Sequence, residues 1–310
     1  MPRPLLCFIF LIAAISSSPA QQVDYRVYPQ DKIIDRLRMA ASKNEDRQST
    51  LKKLFAEEAC AGDRLVDEPV KHEKLGNVVC TLPGQSDDVI LVTAHYDKVK
   101  PGMGVTDNWS GASMLPSLLY GISATPRKHT FVFIGFTGEE DGMVGSAYYA
   151  AHLTQEQRAK IKAVINMDTL GLGPTEIWTS HSDPELVKDM IQVASALHIS
   201  LTGMNVEQVG STDSESFAKY KIPRMTIHSL TEQTLGILHT ERDQVSVIKE
   251  GDYYGSYRLI TVFLAYLDGK LPTAAAATCP ASTTSCCRSA RWSTPVRIAC
   301  RRWCAPTLRH

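Results

Sequence analysis

At 310 residues, with 44% apolar and 21% charged side chains, the chain has the make-up of a globular protein and room for one large domain, not of a disordered or fibrous chain. Its formal net charge is zero, which removes any general electrostatic pull on nucleic acid. The balance is uneven along the chain: residues 1–20 carry Arg3 alone, residues 271–310 carry six arginines and no acid, and residues 21–270 sum to −7.

The opening MPRPLLCFIFLIAAISSSPAQQ has the parts of a secretory signal over residues 1–20: Arg3, an apolar core from Leu5 to Ile15, and the small residues Ser18 and Ala20. That core is too short to span a bilayer comfortably, and no other membrane segment follows. The expected product is therefore secreted or periplasmic, with no membrane attachment after signal cleavage. Export permits disulfides, and Cys60 and Cys80, flanking a polar stretch, are a candidate pair. Five further cysteines (Cys279, Cys286, Cys287, Cys300 and Cys304) crowd into the 271–310 tail. Their spacing is wrong for paired zinc knuckles, and the tail, without hydrophobic period, is expected to be disordered or tangled by disulfides.

From Asp31 to about Ala41, and from Glu45 to about Glu58, apolar residues recur at three- and four-residue steps, which predicts two amphipathic helices over one flank of a sheet. NVVCTLP and DDVILVTAH are β-rich runs separated by the turn PGQS. Ser110 to Ile122 reads as a helix and HTFVFIGFTG as a strand buried on both faces. GSAYYAAHL and TQEQRAKI follow as helices, KAVINMDTLG as another buried strand, and TEIWTS as an edge strand. SDPELVKDMIQVASAL opens with a helix cap and an acidic first turn. IPRMTIHS is a short strand, and EGDYYGSYRLITVFLAYLDG closes the chain's periodic part as a helix. Strands alternating with helices predict an α/β three-layer sandwich, a mostly parallel mixed sheet with helices on both faces, in one domain over 21–270. In such sheets ligands bind beyond the carboxyl ends of the strands.

Metal-capable groups gather at those ends. In TAHYDKVKPGMGVTDNWSGAS, His95 and Asp97 stand two apart in an extended segment, so their side chains face the same way. Asp97 is thus placed to accept the ring N–H of His95 and set its tautomer. Asp107 follows, just before a helix. FVFIGFTGEEDG sets Glu139 beside Glu140, two carboxylates that repel each other unless a cation or a proton intervenes. They suit a division of labour in which one ligates metal and the other moves a proton. VINMDTLG ends on Asp168, and GILHTERD offers His239 in a polar loop. Two imidazoles and three carboxylates suit a pair of Zn²⁺ ions.

As a set, HYDKV, GVTDNWSG, GFTGEEDGMVGSAYYA, INMDTLG, TDSESFAKYKIP and HTERD resemble the successive motifs of the M28 zinc aminopeptidases, over roughly residues 75–268. The resemblance implies a zinc-dependent exopeptidase with two Zn²⁺ per chain, acting on peptides with a free N-terminus and releasing N-terminal amino acids. It implies that Asp107 bridges the metals, that His95 and Asp168 complete one site, and that Glu140 and His239 complete the other. Glu139 is then the general base that activates a metal-bridging water, and Asp97 the support of His95. The Asp107–Asn108 bond is expected to be cis.

Two positions depart from the pattern. Ser214 stands where relatives often carry histidine or another bulky residue, and Trp109 where a small one is usual, to pack in the core or narrow the cleft. A single-zinc glutaminyl-peptide cyclotransferase on the same fold is the main alternative, since Asp107, Glu140, His239 and Asp213 match it as well. Against it, the tryptophan-containing insertion expected after the glutamates is absent. An inactive binding module on this scaffold predicts damaged metal positions, and here all are intact. The remaining histidines (His72, His129, His152, His181, His198, His228 and His310) are expected to be structural, His228 being the nearest to a cleft by its place at a strand end. Tyr253, Tyr254 and Tyr257, at helical spacing, are expected to pack. The sequence specifies no oligomeric state.

Overall fold

The computed structural model describes residues 23–273. The expected signal segment, the tail beyond residue 273 and its five cysteines lie outside the described residues. Eight strands form one mixed sheet: β1 (Leu65–Glu68), β2 (Asn77–Leu82), β3 (Val89–His95), β4 (Thr130–Phe136), β5 (Ile161–Met167), β6 (Thr175–Ile177), β7 (Leu201–Gly203) and β8 (Arg224–His228). Their order is β1-β2-β4-β3-β5-β8-β6-β7. The central four, β4, β3, β5 and β8, are parallel, while β1 and β2 run antiparallel on one side and β6 pairs antiparallel with β8 on the other.

The parallel centre follows from composition. All seven residues of β3 are buried, and they divide between two cores by the two-residue period of a strand. Ile90, Val92 and Ala94 face one layer; Val89 and Leu91 face the other. The first layer holds α1 (Gln30–Leu37), α2 (Asn44–Glu57), α3 (Ser110–Ile122), α6 (Pro184–Leu197) and α7 (Glu250–Lys270). The second is built on α4 (Val144–His152) and the turn 213–220, through Tyr149, Leu153, Phe217 and Ile222. With helical cover on both faces, polar groups in the sheet must be satisfied internally. Thr93 does so by donating its hydroxyl to Asn166 Oδ1 at 2.8 Å.

Helix boundaries have local causes. The Asp183 carboxylate accepts the N–H groups of Glu185 and Leu186 and caps α6, with Pro184 at its first position. Cys60, just past α2, is bonded to Cys80 on β2, with Cα atoms 6.3 Å apart. Tyr253 and Tyr257 are buried on α7, where the Tyr253 hydroxyl donates to the Ser110 carbonyl at 2.7 Å. No helix among the described residues is long and apolar enough to cross a membrane.

Two expectations need correction. TEIWTS is not an edge strand: β6 lies between β8 and β7. The true edge there, Leu201–Gly203, is short and largely exposed, so its residues carry no buried pattern to read. At the other edge β1 was likewise unanticipated, because LVDE owes its conformation to pairing with β2, not to a buried face of its own.

Candidate metal centre

Strands β4, β3 and β5 are adjacent and parallel, so their carboxyl ends fall on one edge of the sheet. That is why residues far apart in the chain converge. β3 ends on His95, β4 runs on through Thr137 and Gly138 to Glu139 and Glu140, and β5 is followed by Asp168. His95 Nε2 lies 3.3 Å from Asp107 Oδ1, 3.8 Å from Asp168 Oδ1 and 3.9 Å from Glu139 Oε2. His239 Nε2 lies 3.1 Å from Asp107 Oδ2 and 3.0 Å from Glu140 Oε2. All five residues expected to hold metal, and Glu139 with them, thus line one space.

Asp107 is held with particular care. Its peptide bond to Asn108 is cis. Asp243 Oδ1 accepts the N–H of Thr106 at 2.7 Å, and Asp243 Oδ2 that of Asp107 at 3.1 Å. Asn108 points inward, donating to the Met167 carbonyl at 2.8 Å and accepting from Gly111 N–H at 3.0 Å. Asp168 is aimed by Thr212, whose hydroxyl donates to its Oδ2 at 2.6 Å and itself accepts from Asn166 Nδ2 at 2.8 Å.

Asp97 does more than face the His95 ring. The nearer partner of His95 Nδ1 is the Asp97 backbone carbonyl, at 3.3 Å, with the carboxylate at 3.6 Å. Either acceptor leaves the Nε2 lone pair turned to the site when Nδ1 carries the proton. The carboxylate accepts the backbone N–H groups of Glu139 at 3.3 Å and Glu140 at 3.2 Å. It therefore ties the end of β3 to the loop after β4.

The buried atoms His95 Nε2 and Glu140 Oε1 have no hydrogen-bond partner, and both residues belong to a group (His95, Asp107, Glu140) that offers one donor atom each within 4.8 Å of one another. A second such group is His95, Glu139 and Asp168. Nitrogen and carboxylate donors at this spacing fit a borderline-soft divalent cation. Charge points the same way. Burial raises the Glu139 carboxyl to about 10, with His95 opposing and Asp168, Asp213 and Asp107 adding to the push. Hydrogen bonds donated by its ring to the Asp107 and Glu140 carboxylates raise His239 to about 10.

A cleft of about 290 Å³ opens on the site. Asp107, Glu139, Glu140, Asp168 and His239 form its polar wall, and Trp178, Val206, Leu230, Leu235 and Leu238 an apolar one. His228 lines it too, its Nε2 on the Met204 carbonyl and its Nδ1 on the N–H of Leu230, both at 3.0 Å. Trp109 does not narrow the cleft: it is fully buried, donating its indole N–H to the Arg36 carbonyl. Ser214 is buried as well, paired with Thr226 Oγ1 at 2.8 Å. Sequence reading assigned no role to Asp243 or Asn108. Their place beside His239 and Asp107 in the quoted motifs was the available signal.

Residues 77–263 match the family model for Peptidase family M28. The chain belongs to that family. Among curated relatives, Aminopeptidase YwaD of Bacillus subtilis is 28% identical over 171 residues, covering 53% of this chain and 37% of that protein. An aminopeptidase of Pseudomonas aeruginosa is 39% identical over 110 residues, 34% of this chain and 20% of that one. The M28 chain thus spans little more than a third of the first relative's length and a fifth of the second's. Among solved structures, the LapA aminopeptidase of Legionella pneumophila aligns with a TM-score of 0.65 at 19% identity, over 84% of this chain and 83% of its own. A glutaminyl cyclase of an Acidobacteriales bacterium aligns at 0.66 with 20% identity, over 82% and 99%. At such identities the likeness is one of fold, the mixed α/β sandwich anticipated above.

Proposed function

We propose that this M28 chain is an exported metallopeptidase that holds two zinc ions and releases amino-terminal residues from peptides, with residues 21–270 as its catalytic domain. The observation that carries the reading is the placement of Asp107, one oxygen toward each imidazole of the site. Asp107 would be shared by both ions, His95 and Asp168 would complete one site, and Glu140 and His239 the other. Zinc bound there supplies Lewis acidity, polarising a peptide carbonyl and lowering the pKa of water. The remaining work belongs to the chain. Glu139, on the cleft wall, takes the proton of the attacking water and returns it to the leaving amine. Asp97 holds the Glu139–Glu140 backbone so that both carboxylates keep their aim.

The cleft supports a substrate class. Its carboxylate-rich end accommodates an amino terminus, and the wall of Trp178, Val206, Leu230, Leu235 and Leu238 suits a bulky apolar first side chain. Export is supported by the signal-like residues 1–20 and by the Cys60–Cys80 disulfide, a bond characteristic of oxidising compartments.

The test is a panel of aminoacyl arylamides set against peptides with amino-terminal glutamine, run with and without chelator and with zinc restored. Release of leucine or phenylalanine, lost on chelation and recovered with zinc, is the expected result. Cyclisation of the glutamine peptides with one zinc per chain would instead establish the cyclase. That alternative is favoured by Asp213, which is buried with both carboxylate oxygens unpartnered. Against it, the chain passes from Glu140 through Asp141, Gly142 and Met143 directly into α4. A purified protein that binds no zinc would leave only the inactive binding module.

A further inference from the structure

We infer that Arg47 is a positioning residue for the metal centre, a buried cation that fixes the segment after β3 against the segment leading to Asp107. This role presupposes the di-zinc reading, and it concerns a residue outside every motif of the site.

Arg47 lies on α2 and is fully buried. Its guanidinium is spent entirely on backbone carbonyls. Nε donates to Tyr96 O, Nη1 to Met103 O at 2.9 Å, and Nη2 to Gly104 O at 2.9 Å. Tyr96 stands between His95 and Asp97, and Met103 and Gly104 begin the turn that ends at Asp107. One planar fork therefore spans both segments that deliver groups to the site. The approach is close enough to need glycine: Gly104 has φ +57°, and a Cβ there would lie 2.9 Å from the Asp107 carbonyl and 3.1 Å from Arg47 Nη1.

A structural arginine buried this deeply ordinarily meets a carboxylate, because an unpaired buried charge is expensive. Arg36, also buried, does so through Glu58. Arg47 instead faces Asp97, Asp107, Asp243 and Glu140 from beyond contact range, and only the Trp109 ring lies over it, at 5.4 Å. Its charge is thus offset by carboxylates in and around the metal centre without a direct pair. Asp243 holds the same turn from the opposite side, taking the N–H groups of Thr106 and Asp107. Carbonyls at the start of the turn and amides at its end are anchored by opposite charges.

The experiment compares Arg47→Lys and Arg47→Gln with Arg36→Lys, a buried-arginine control whose guanidinium is paired with Glu58 and Ser117 and not with the segments that carry the metal-site residues. Zinc affinity is measured by competition with a chromophoric chelator, thermal midpoints by calorimetry, and amide exchange on the metal-free proteins. Both Arg47 variants are expected to bind zinc about 10- to 100-fold more weakly, the range for groups that orient metal ligands. Amide exchange at Thr106 and Asp107 should accelerate while β3 keeps its protection. Arg36→Lys should lower the midpoint without either effect. Wild-type zinc affinity and unchanged exchange in Arg47→Lys would overturn the assignment, as would losses equal to those of Arg36→Lys. Should the wild type bind no zinc, the di-zinc reading falls. The metal-positioning role then falls with it, and accelerated exchange in the turn would show only that Arg47 fixes the backbone there. If Arg47→Gln does not fold, Arg47→Lys carries the test.

Discussion

His239 Nε2 lies 3.1 Å from Asp107 Oδ2, joining a half-exposed loop residue to a carboxylate buried beyond the end of β3. Because His239 also faces Glu140 at 3.0 Å, it closes one side of the site without touching the other. His239→Ala should therefore lower zinc content from two ions per chain to about one while leaving the fold intact, since its ring packs against no core. Elemental analysis of the purified variant checks this. Retention of both ions would remove His239 from the ligand set.

Glu139 lines the cleft, with its carboxylate 3.9 Å from His95 Nε2. Replacing it with glutamine preserves shape but removes the proton carrier. Glu139→Gln is expected to keep its zinc and its melting temperature and to lose about 10²- to 10⁴-fold in kcat, the usual contribution of general acid–base catalysis. A near-normal rate with zinc intact would assign the proton transfer elsewhere.

Asp97 offers its two carboxylate oxygens to two backbone N–H groups, those of Glu139 and Glu140. In Asp97→Asn an amide nitrogen must oppose one of those donors, which loosens the loop bearing both glutamates. A fall of about 10- to 100-fold in activity or zinc affinity is expected. Steady-state kinetics with a parallel zinc titration reads it. An unchanged rate and affinity would reduce Asp97 to an ordinary loop residue.

At the far end of the domain, Asp268 sets a pH response independent of metal. Burial alone would raise its carboxyl, but the ring and backbone N–H of His129 and the backbone N–H of Lys128 outweigh it and hold the group below its ordinary value. A carboxyl depressed in the folded state stabilises above its unfolded pKa of about 3.9, and that stability fades as pH falls through the folded value. Asp268→Asn should cost about 1–3 kcal/mol near pH 7, in line with hydrogen bonds to a charged group. Urea melts at pH 7 and pH 3 measure the difference between wild type and variant, which should shrink in acid. A constant difference would contradict the depressed carboxyl.

How far the molecule was legible depends on where each feature's stabilisation resides. Buried strands write themselves into the chain, because a segment covered on both faces, such as VILVTAH or TFVFIGF, must be predominantly apolar. The strand ends beyond them exposed His95, Glu139, Glu140 and Asp168 as chemistry waiting at one edge. β1 and β7 left no such imprint, since their conformation comes from pairing with a neighbour. Only the tertiary structure decided that the Asp97 carboxylate serves backbone amides, that Trp109 joins the core, and that Arg47 reaches from a flanking helix to the turn before Asp107. The polar contacts of all three side chains run to main-chain atoms, which every residue possesses, so no pattern of side chains could have announced them.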